Sequence, residues 1–169
     1  ETETQTLSLN KGVKLNGRNE IRISNYGKVS INGSTLTSLR WVDIQSGGML
    51  YGNGTIDAIL YNNGEISTSY IAPLSVTGDY HETENAKLII KPAGNASTAL
   101  QVNGKATLAG TLDISQSRFN SNANKPQTIL TAKHIEGTFR NTDQHVTDGD
   151  NNHFSIIYTD TNVVMIPVK

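Results

Sequence analysis

Short stretches of alternating apolar and polar residues recur along the whole chain, separated by corners rich in glycine and asparagine. Alternation with a period of two is typical of β-strands that bury one face. The stretches lie at residues 13–15, 21–23, 29–31, 42–44, 56–60, 74–76, 88–90, 106–108 and 112–114. No apolar stripe with helical spacing is sustained, so the pattern predicts an all-β protein.

The corners between these stretches are shorter than hairpin loops. Examples lie in residues 48–56 (GMLYGNGTI) and residues 100–114 (LQVNGKATLAGTLDI). Glycine and asparagine supply the positive backbone φ of a tight corner, and an antiparallel sandwich would prefer longer strands. We therefore predict a right-handed parallel β-helix, or β-solenoid, as a single domain over residues 1–169. With roughly 20–25 residues per turn it would hold about six or seven rungs in about 30 Å of rod.

Three segments interrupt this rhythm and are predicted to be protruding loops: residues 69–83, 116–127 and 140–153. The last two apolar stretches, 154–158 and 163–168, flank a short polar turn and predict an antiparallel hairpin. Such a hairpin would cap the open end of a solenoid, which otherwise exposes unpaired backbone groups. We therefore divide the chain into stalk rungs at 1–99 and a C-terminal cap at 100–169.

The composition excludes several classes of site. Of the 169 residues, 36% are hydrophobic and 17% are charged, so a core is possible beneath a largely neutral polar surface. The chain has no cysteine, which excludes disulfides, thiolate metal sites and thiol nucleophiles. A net charge of −1 without basic clusters predicts no nucleic-acid partner. Without a leader pattern or an apolar run of about 18 residues, we expect a soluble or already processed segment.

Residues that carry catalysis do not form a known constellation. The sequence has no Gly-x-Ser-x-Gly elbow for a serine nucleophile and no His-Glu-x-x-His pair for a metal. Four histidines are predicted in loops or polar stretches: His81, His134, His145 and His153. Residues 143–153 carry possible metal ligands but lack the closing Glu of an EF-hand loop, so a solvated turn is expected. We predict no catalytic, cofactor-binding or metal-binding residue.

Three carboxylates are predicted on the outer surface, because Asp43, Asp57 and Asp113 each lie between two apolar residues of a strand. Outward acidic clusters bind calcium and substrate in β-helical polysaccharide lyases. Here no basic residue accompanies them in a matching pattern, so we interpret them as solvent-facing.

Aromatic residues recur at intervals of nine or ten, as Tyr51, Tyr61, Tyr70 and Tyr80, and Trp41 follows Arg40. The recurrence would align some of the rings along one edge of a coil. There they would stack against sugar rings or another protein, or simply cover the rim of the core.

Four features follow one another from about residue 50 onward: LYGNGTI at 50–56 with NNGEI at 62–66, LSVTGDY at 74–80 with AKLII at 86–90, LQVNGKATLAGTL at 100–112, and ILTA at 129–132 with GTF at 137–139. In this order and spacing they resemble the C-terminal passenger region of bacterial autotransporters of the type V secretion pathway, including their autochaperone region. The family often has a Pro-Gly pair after the Asn-Gly-x-Ile corner, whereas here residues 67–72 precede Pro73.

The resemblance implies a non-catalytic, membrane-proximal segment that stabilises and templates folding of a surface-exposed β-helix during secretion across the outer membrane. Its implied partners are the family's own C-terminal β-barrel translocator and the upstream passenger. We assign the core of the folding template to Leu108, Leu112, Ile114, Phe139, Ile156, Tyr158 and Val164. We assign its corners to Gly104, Gly110 and Gly137.

The sequence leaves other functions open. Adhesion or self-association would use the neutral Asn/Ser/Thr face or the loops, with a second copy or a host surface receptor as partner. An enzymatic interpretation requires either a β-helical lyase within these residues or an upstream protease or esterase domain carried on the stalk.

Overall fold

The structure is a computed structural model, and it describes residues 4–91, 98–117, 125–143 and 145–168. These residues form 17 strands and no helix, wound into a β-solenoid of about five turns with parallel stacked strands. The predicted all-β solenoid is confirmed.

The strands stack in six layers, and about five turns of the chain lead from the first layer to the last. We call these layers rungs and number them from the N-terminal end. The first rung contains β1 (Gln5–Leu9), β2 (Lys14–Gly17) and β3 (Glu20–Ile23), and the second and third are the long bent strands β4 (Gly27–Ile44) and β5 (Met49–Asn62). The fourth contains β6 (Glu65–Ser67), β7 (Leu74–Val76) and β8 (Tyr80–Glu82). The fifth contains β9 (Lys87–Ile89), β10 (Leu100–Val102) and β11 (Lys105–Leu108). The sixth contains β12 (Thr111–Asp113), β13 (Gln127–Thr131) and β14 (His134–Gly137).

Each rung contributes one strand segment to each of three faces. The first face stacks β1, β4, β5, β6, β9 and β12 in parallel. The second face stacks β2, β4, β5, β7, β10 and β13. The third face stacks β3, β4, β5, β8, β11 and β14.

The parallel register places equivalent apolar residues of successive rungs above one another. On the first face this inward column is Leu7, Val29, Leu50, Ile66, Leu88 and Leu112. The steps along this column are 22, 21, 16, 22 and 24 residues, so one turn is shorter than predicted. The core is thus a stack of aliphatic columns, in which each rung buries its row against the next.

A C-terminal hairpin closes the last rung, as predicted. It consists of β16 (His153–Tyr158) and β17 (Asn162–Pro167), which pair antiparallel, and the short β15 (Val146–Thr147) pairs with β16. Strands β10–β14 of the predicted C-terminal segment 100–169 belong to the fifth and sixth rungs, so from here on the name cap is used only for residues 138–143 and 145–168.

The three predicted loops are only partly loops. Residues 69–83 include β7 and β8, and residues 140–153 include β15, so the prediction was too wide at both places. β7 coincides with the alternating stretch predicted at 74–76, whereas β8 and β15 were missed because they are only three and two residues long and lie among polar residues. In the remaining predicted loop, 116–127, residues 118–124 lie outside the described residues.

Candidate functional site

The cap is the first candidate site, because it covers the strand edges of the sixth rung that face away from the fifth. On the second face, β17 pairs antiparallel with β13, from Gln127 opposite Met165 to Thr131 opposite Asn162, with an irregularity at Ile129. An antiparallel strand ends a parallel stack, because the next rung in the same direction has no edge to join.

On the first face a single side chain replaces a strand. The amide of Asn141 accepts a hydrogen bond from the Leu112 N–H at 2.9 Å and donates one to the Leu112 carbonyl at 2.8 Å. The neighbouring Arg140 donates its backbone N–H to the Gly110 carbonyl at 2.9 Å and its Nε–H to Thr111 Oγ1 at 2.9 Å. The edge of β12 is therefore paired without a seventh rung.

On the third face, residues of the hairpin turn accept hydrogen bonds from backbone N–H groups at and just before the start of β14. The Ile135 N–H donates to the Asp160 carbonyl at 2.8 Å, and the Ala132 N–H donates to the Thr161 carbonyl at 3.0 Å. The His134 ring also contacts the Asp160 carboxylate. All three faces of the last rung thus receive cap residues at their exposed backbone groups.

Five of the seven predicted template residues are buried, with exposed fractions of 8% or less. They are Leu108, Leu112, Ile114, Phe139 and Ile156. Sequence reasoning missed Phe154, Val163 and Met165, all completely buried. These three lie in the hairpin and fill the end of the core beside Phe139.

The other two predicted template residues are only half-buried. Tyr158 packs against the core with its ring centroid 6.4 Å from that of Phe139. Its hydroxyl accepts the Phe139 N–H at 3.0 Å and lies 2.8 Å from Thr142 Oγ1. Burial raises the pKa of Tyr158 above its usual value. Val164 points away from the core while Val163 points into it, so the predicted phase of this strand was wrong.

The predicted corner glycines serve two different purposes. Gly137 has φ +75°, a left-handed conformation that favours glycine. Gly104 and Gly110 are not in that region, so the expectation of positive φ was wrong for them. Instead they lie against the rung below: a Cβ at Gly104 would be 2.7 Å from the Gly78 carbonyl oxygen, and one at Gly110 2.5 Å from that of Ala86.

A buried polar cluster lies next to the cap, in the third face. The Tyr80 hydroxyl donates to Glu82 Oε1 at 2.6 Å and accepts from the Asn62 amide at 3.3 Å. Glu82 Oε2 accepts the N–H groups of Ala109 and Gly110 at 3.4 and 3.3 Å. Burial raises the pKa of Glu82 to about 7, although these hydrogen bonds partly oppose the rise. The cluster joins the fourth rung to the corner that begins the sixth.

The three outward carboxylates lie on three different faces. Asp43 is on the third face, Asp57 on the second and Asp113 on the first, as their strand partners show. Asp57 accepts a hydrogen bond from Thr77 at 2.9 Å, and Asp113 is 2.7 Å from the Lys87 ammonium. Because they point in different directions, these three residues do not form one acidic site.

The histidines are mostly in strands, which corrects the expectation of loops. His81 lies in β8, His134 in β14 and His153 in β16. His145 lies outside the strands, with its ring 3.2 Å from Ser155 Oγ. Among the described residues, no three His, Asp or Glu side chains are grouped closely enough to hold a metal ion.

The aromatic residues do not form one ladder at intervals of nine or ten. Tyr80 is completely buried, and the hydroxyl of Tyr70 donates to the Gln116 carbonyl from a loop. Trp41, Tyr61 and His81 instead come together on the third face. Their spacing of 20 residues is close to one turn, a signal that becomes visible only once the rung length is known.

Comparison with protein-family models, with curated proteins and with solved structures finds no match. The part of the chain that the structure describes contains no helix that is long and apolar enough to cross a membrane.

Proposed function

We propose that the chain is a non-catalytic, membrane-proximal segment of a bacterial autotransporter passenger, whose last rung and cap template folding of the β-helix at the cell surface. The supporting observation is the difference between the two ends. The cap pairs with all three faces of the sixth rung, while the first rung leaves Leu7 46% and Val13 43% exposed. A further rung stacked there would bury both side chains.

In such a passenger the C-terminal end emerges first from the outer membrane, where ATP is absent, as the sequence resemblance implies. The cap and sixth rung would fold first, and each later rung would add an aliphatic row to the columns. Complete burial of one such side chain contributes about 1.5–3 kcal/mol before the entropy of ordering the chain is subtracted. Folding outside the membrane would then oppose return of the chain. Its partners would be the passenger's own β-barrel translocator and the upstream passenger.

Surface display tests this proposal. The full chain is fused to an autotransporter β-barrel, displayed on cells, and treated with protease. Phe139→Ser places a hydroxyl in the completely buried end of the core. We expect this variant to reach the surface and to be degraded along its whole length, because the template for every later rung is lost.

The matched control is Ile31→Ser, which changes an equally buried residue of the second rung. We expect degradation of its N-terminal rungs only, with residues 100–168 still resistant. The proposal fails if Phe139→Ser is as resistant as the unchanged chain, or if both variants are degraded over the same length.

A further inference from the structure

A groove of about 400 Å³ runs along the third face, lined by residues of the first four rungs. A column of outward residues at one register lines it: Arg22, Asp43, Tyr61 and His81, from four successive rungs. Trp41 lies beside this column, two residues before Asp43 in β4. The parallel stack thus gathers residues from about 60 positions of sequence into one surface.

The aromatic side chains of Trp41, Tyr61 and His81 form an aromatic wall of the groove. The rings of Tyr61 and His81 are stacked, with centroids 5.1 Å apart and planes inclined by 17°. The Trp41 ring meets Tyr61 almost at a right angle, at 82° with centroids 6.3 Å apart. Tyr61 is 40% exposed, so part of this aromatic surface faces solvent. The wall has both apolar ring surface and polar edges.

Polar groups surround this wall at positions where they can reach a bound molecule. Arg22 forms an ion pair with Glu20 at 3.0 Å, and Asp43 Oδ2 accepts from Gln45 at 3.3 Å. Asn63 Oδ1 accepts from Thr83 at 2.6 Å, and among the described residues its amide nitrogen has no acceptor. A carboxylate, a guanidinium and an amide donor therefore line one small groove.

This combination matches the chemistry of a neutral saccharide. A pyranose ring presents an apolar C–H face to an aromatic ring and hydroxyl groups at its edges to planar polar side chains. Binding sites of this type combine aromatic walls with a few convergent polar groups. Charges of both signs lie in or beside the groove: Arg22 is paired with Glu20, Arg40 lies over the Trp41 ring, and Asp43 is a carboxylate. This mixture disfavours a strongly charged ligand. The net charge of −1 likewise disfavours nucleic acid.

We propose that the groove around Trp41, Tyr61 and His81 binds a neutral oligosaccharide by ring stacking and hydrogen bonding. This property is independent of the folding-template function, because none of the groove residues belongs to the cap. It would give the rod a means of attachment to a glycan surface.

The test uses the single tryptophan of the chain, Trp41, as a fluorescent reporter. The full chain is titrated with cellotetraose, maltotetraose, chitotetraose and a mannose tetrasaccharide, each to about 50 mM, well above the Kd of about 1 mM typical of weak sites. At least one probe is expected to change the Trp41 emission saturably. In Tyr61→Ala and in Asp43→Asn its affinity should fall about tenfold or more.

The control is Tyr51→Ala, which removes a half-buried outward tyrosine of the same strand β5 on the first face. Its affinity for the probe should be unchanged, and circular dichroism should show that all three variants are folded. The proposal is wrong if none of the four sugars changes the emission saturably, or if Tyr51→Ala weakens binding as much as Tyr61→Ala. It is also wrong if the emission changes with protein concentration alone, because the groove would then be an interface with a second copy.

Discussion

The inward aliphatic column of the first face is exposed at one end of the solenoid and buried at the other. Leu7 in the first rung is 46% exposed, whereas Leu112 in the sixth rung is 2% exposed. Within the described residues, β1 pairs only with β4, while β12 pairs with β9 on one side and with Asn141 on the other. The repeat itself is the same at both ends, so the difference comes from the cap.

This difference shows that closing a solenoid requires a change of strand direction and of side-chain chemistry. The cap uses an antiparallel strand, an asparagine amide and a hairpin turn, one for each face. A parallel strand in any of these places would expose a new edge of the same kind. Among the described residues, the first rung therefore keeps an edge that a parallel strand could join, whereas the cap covers the edge of the sixth rung.

The largest expected effect is a difference in the free energy of unfolding between two Leu→Ala variants in the inward column of the first face. Leu112→Ala should lower the free energy of unfolding by about 2–5 kcal/mol, because it leaves a cavity in a closed core. Leu7→Ala should lower it by less than about 1 kcal/mol, because Leu7 already faces solvent. Urea unfolding of the full chain measures both values. Equal losses would mean that the cap does not protect its end of the column.

A second prediction concerns pH and the buried Glu82 beside the cap. Its pKa is raised to about 7 from 4.5, so between these pH values the folded state holds a proton that the unfolded state has released. The contribution of Glu82 to the free energy of unfolding should therefore be highest below pH 4.5 and fall by roughly 3 kcal/mol as pH rises to about 7. Urea unfolding across this range measures the slope.

The matched variant for this prediction is Glu82→Gln, which cannot ionise and should remove that part of the slope. Because Glu82 accepts the N–H groups of Ala109 and Gly110, hydrogen exchange near the cap should accelerate more with pH than exchange in β1–β3, after correction for intrinsic rates. A uniform acceleration along the rod would contradict this local origin.

The smallest expected effect is the loss of the Asn141 amide. Asn141→Ala leaves the Leu112 N–H and carbonyl without their partners, which should cost about 1–2 kcal/mol because water reaches this edge in part. Faster exchange of the Leu112 amide hydrogen is the direct measurement. Asn141→Asp keeps the acceptor and loses the donor, so it should protect the Leu112 amide better than Ala does. No difference between Ala and the unchanged chain would show that the edge needs no side-chain partner.

Local features that follow from short-range chemistry were predictable from the sequence. The period of two placed the strands, and the polar turn at 159–162 marked the hairpin. The core residues Leu108, Leu112 and Ile114 followed from the same alternation, because each is flanked by residues that face outward.

Predictions failed where the local pattern allows two answers. Val163 and Val164 are adjacent and equally apolar, so alternation alone does not fix which one points inward. The pairing of β17 with β13, with its irregularity at Ile129, decides in favour of Val163. Similarly, nothing local distinguishes Gly104, which lies against the rung below, from Gly137, which needs a positive φ.

The sequence by itself determined that this chain is a coil of short strands ending in a hairpin, because alternation and turn chemistry act over a few residues. Only the tertiary structure decided which residues meet across rungs: Trp41 with Tyr61 and His81, Glu82 with Gly110, and Asn141 with Leu112. The inward column of the first face advances by between 16 and 24 residues per turn, so such neighbours have no fixed spacing in the sequence. The register of the stacked backbone sets them.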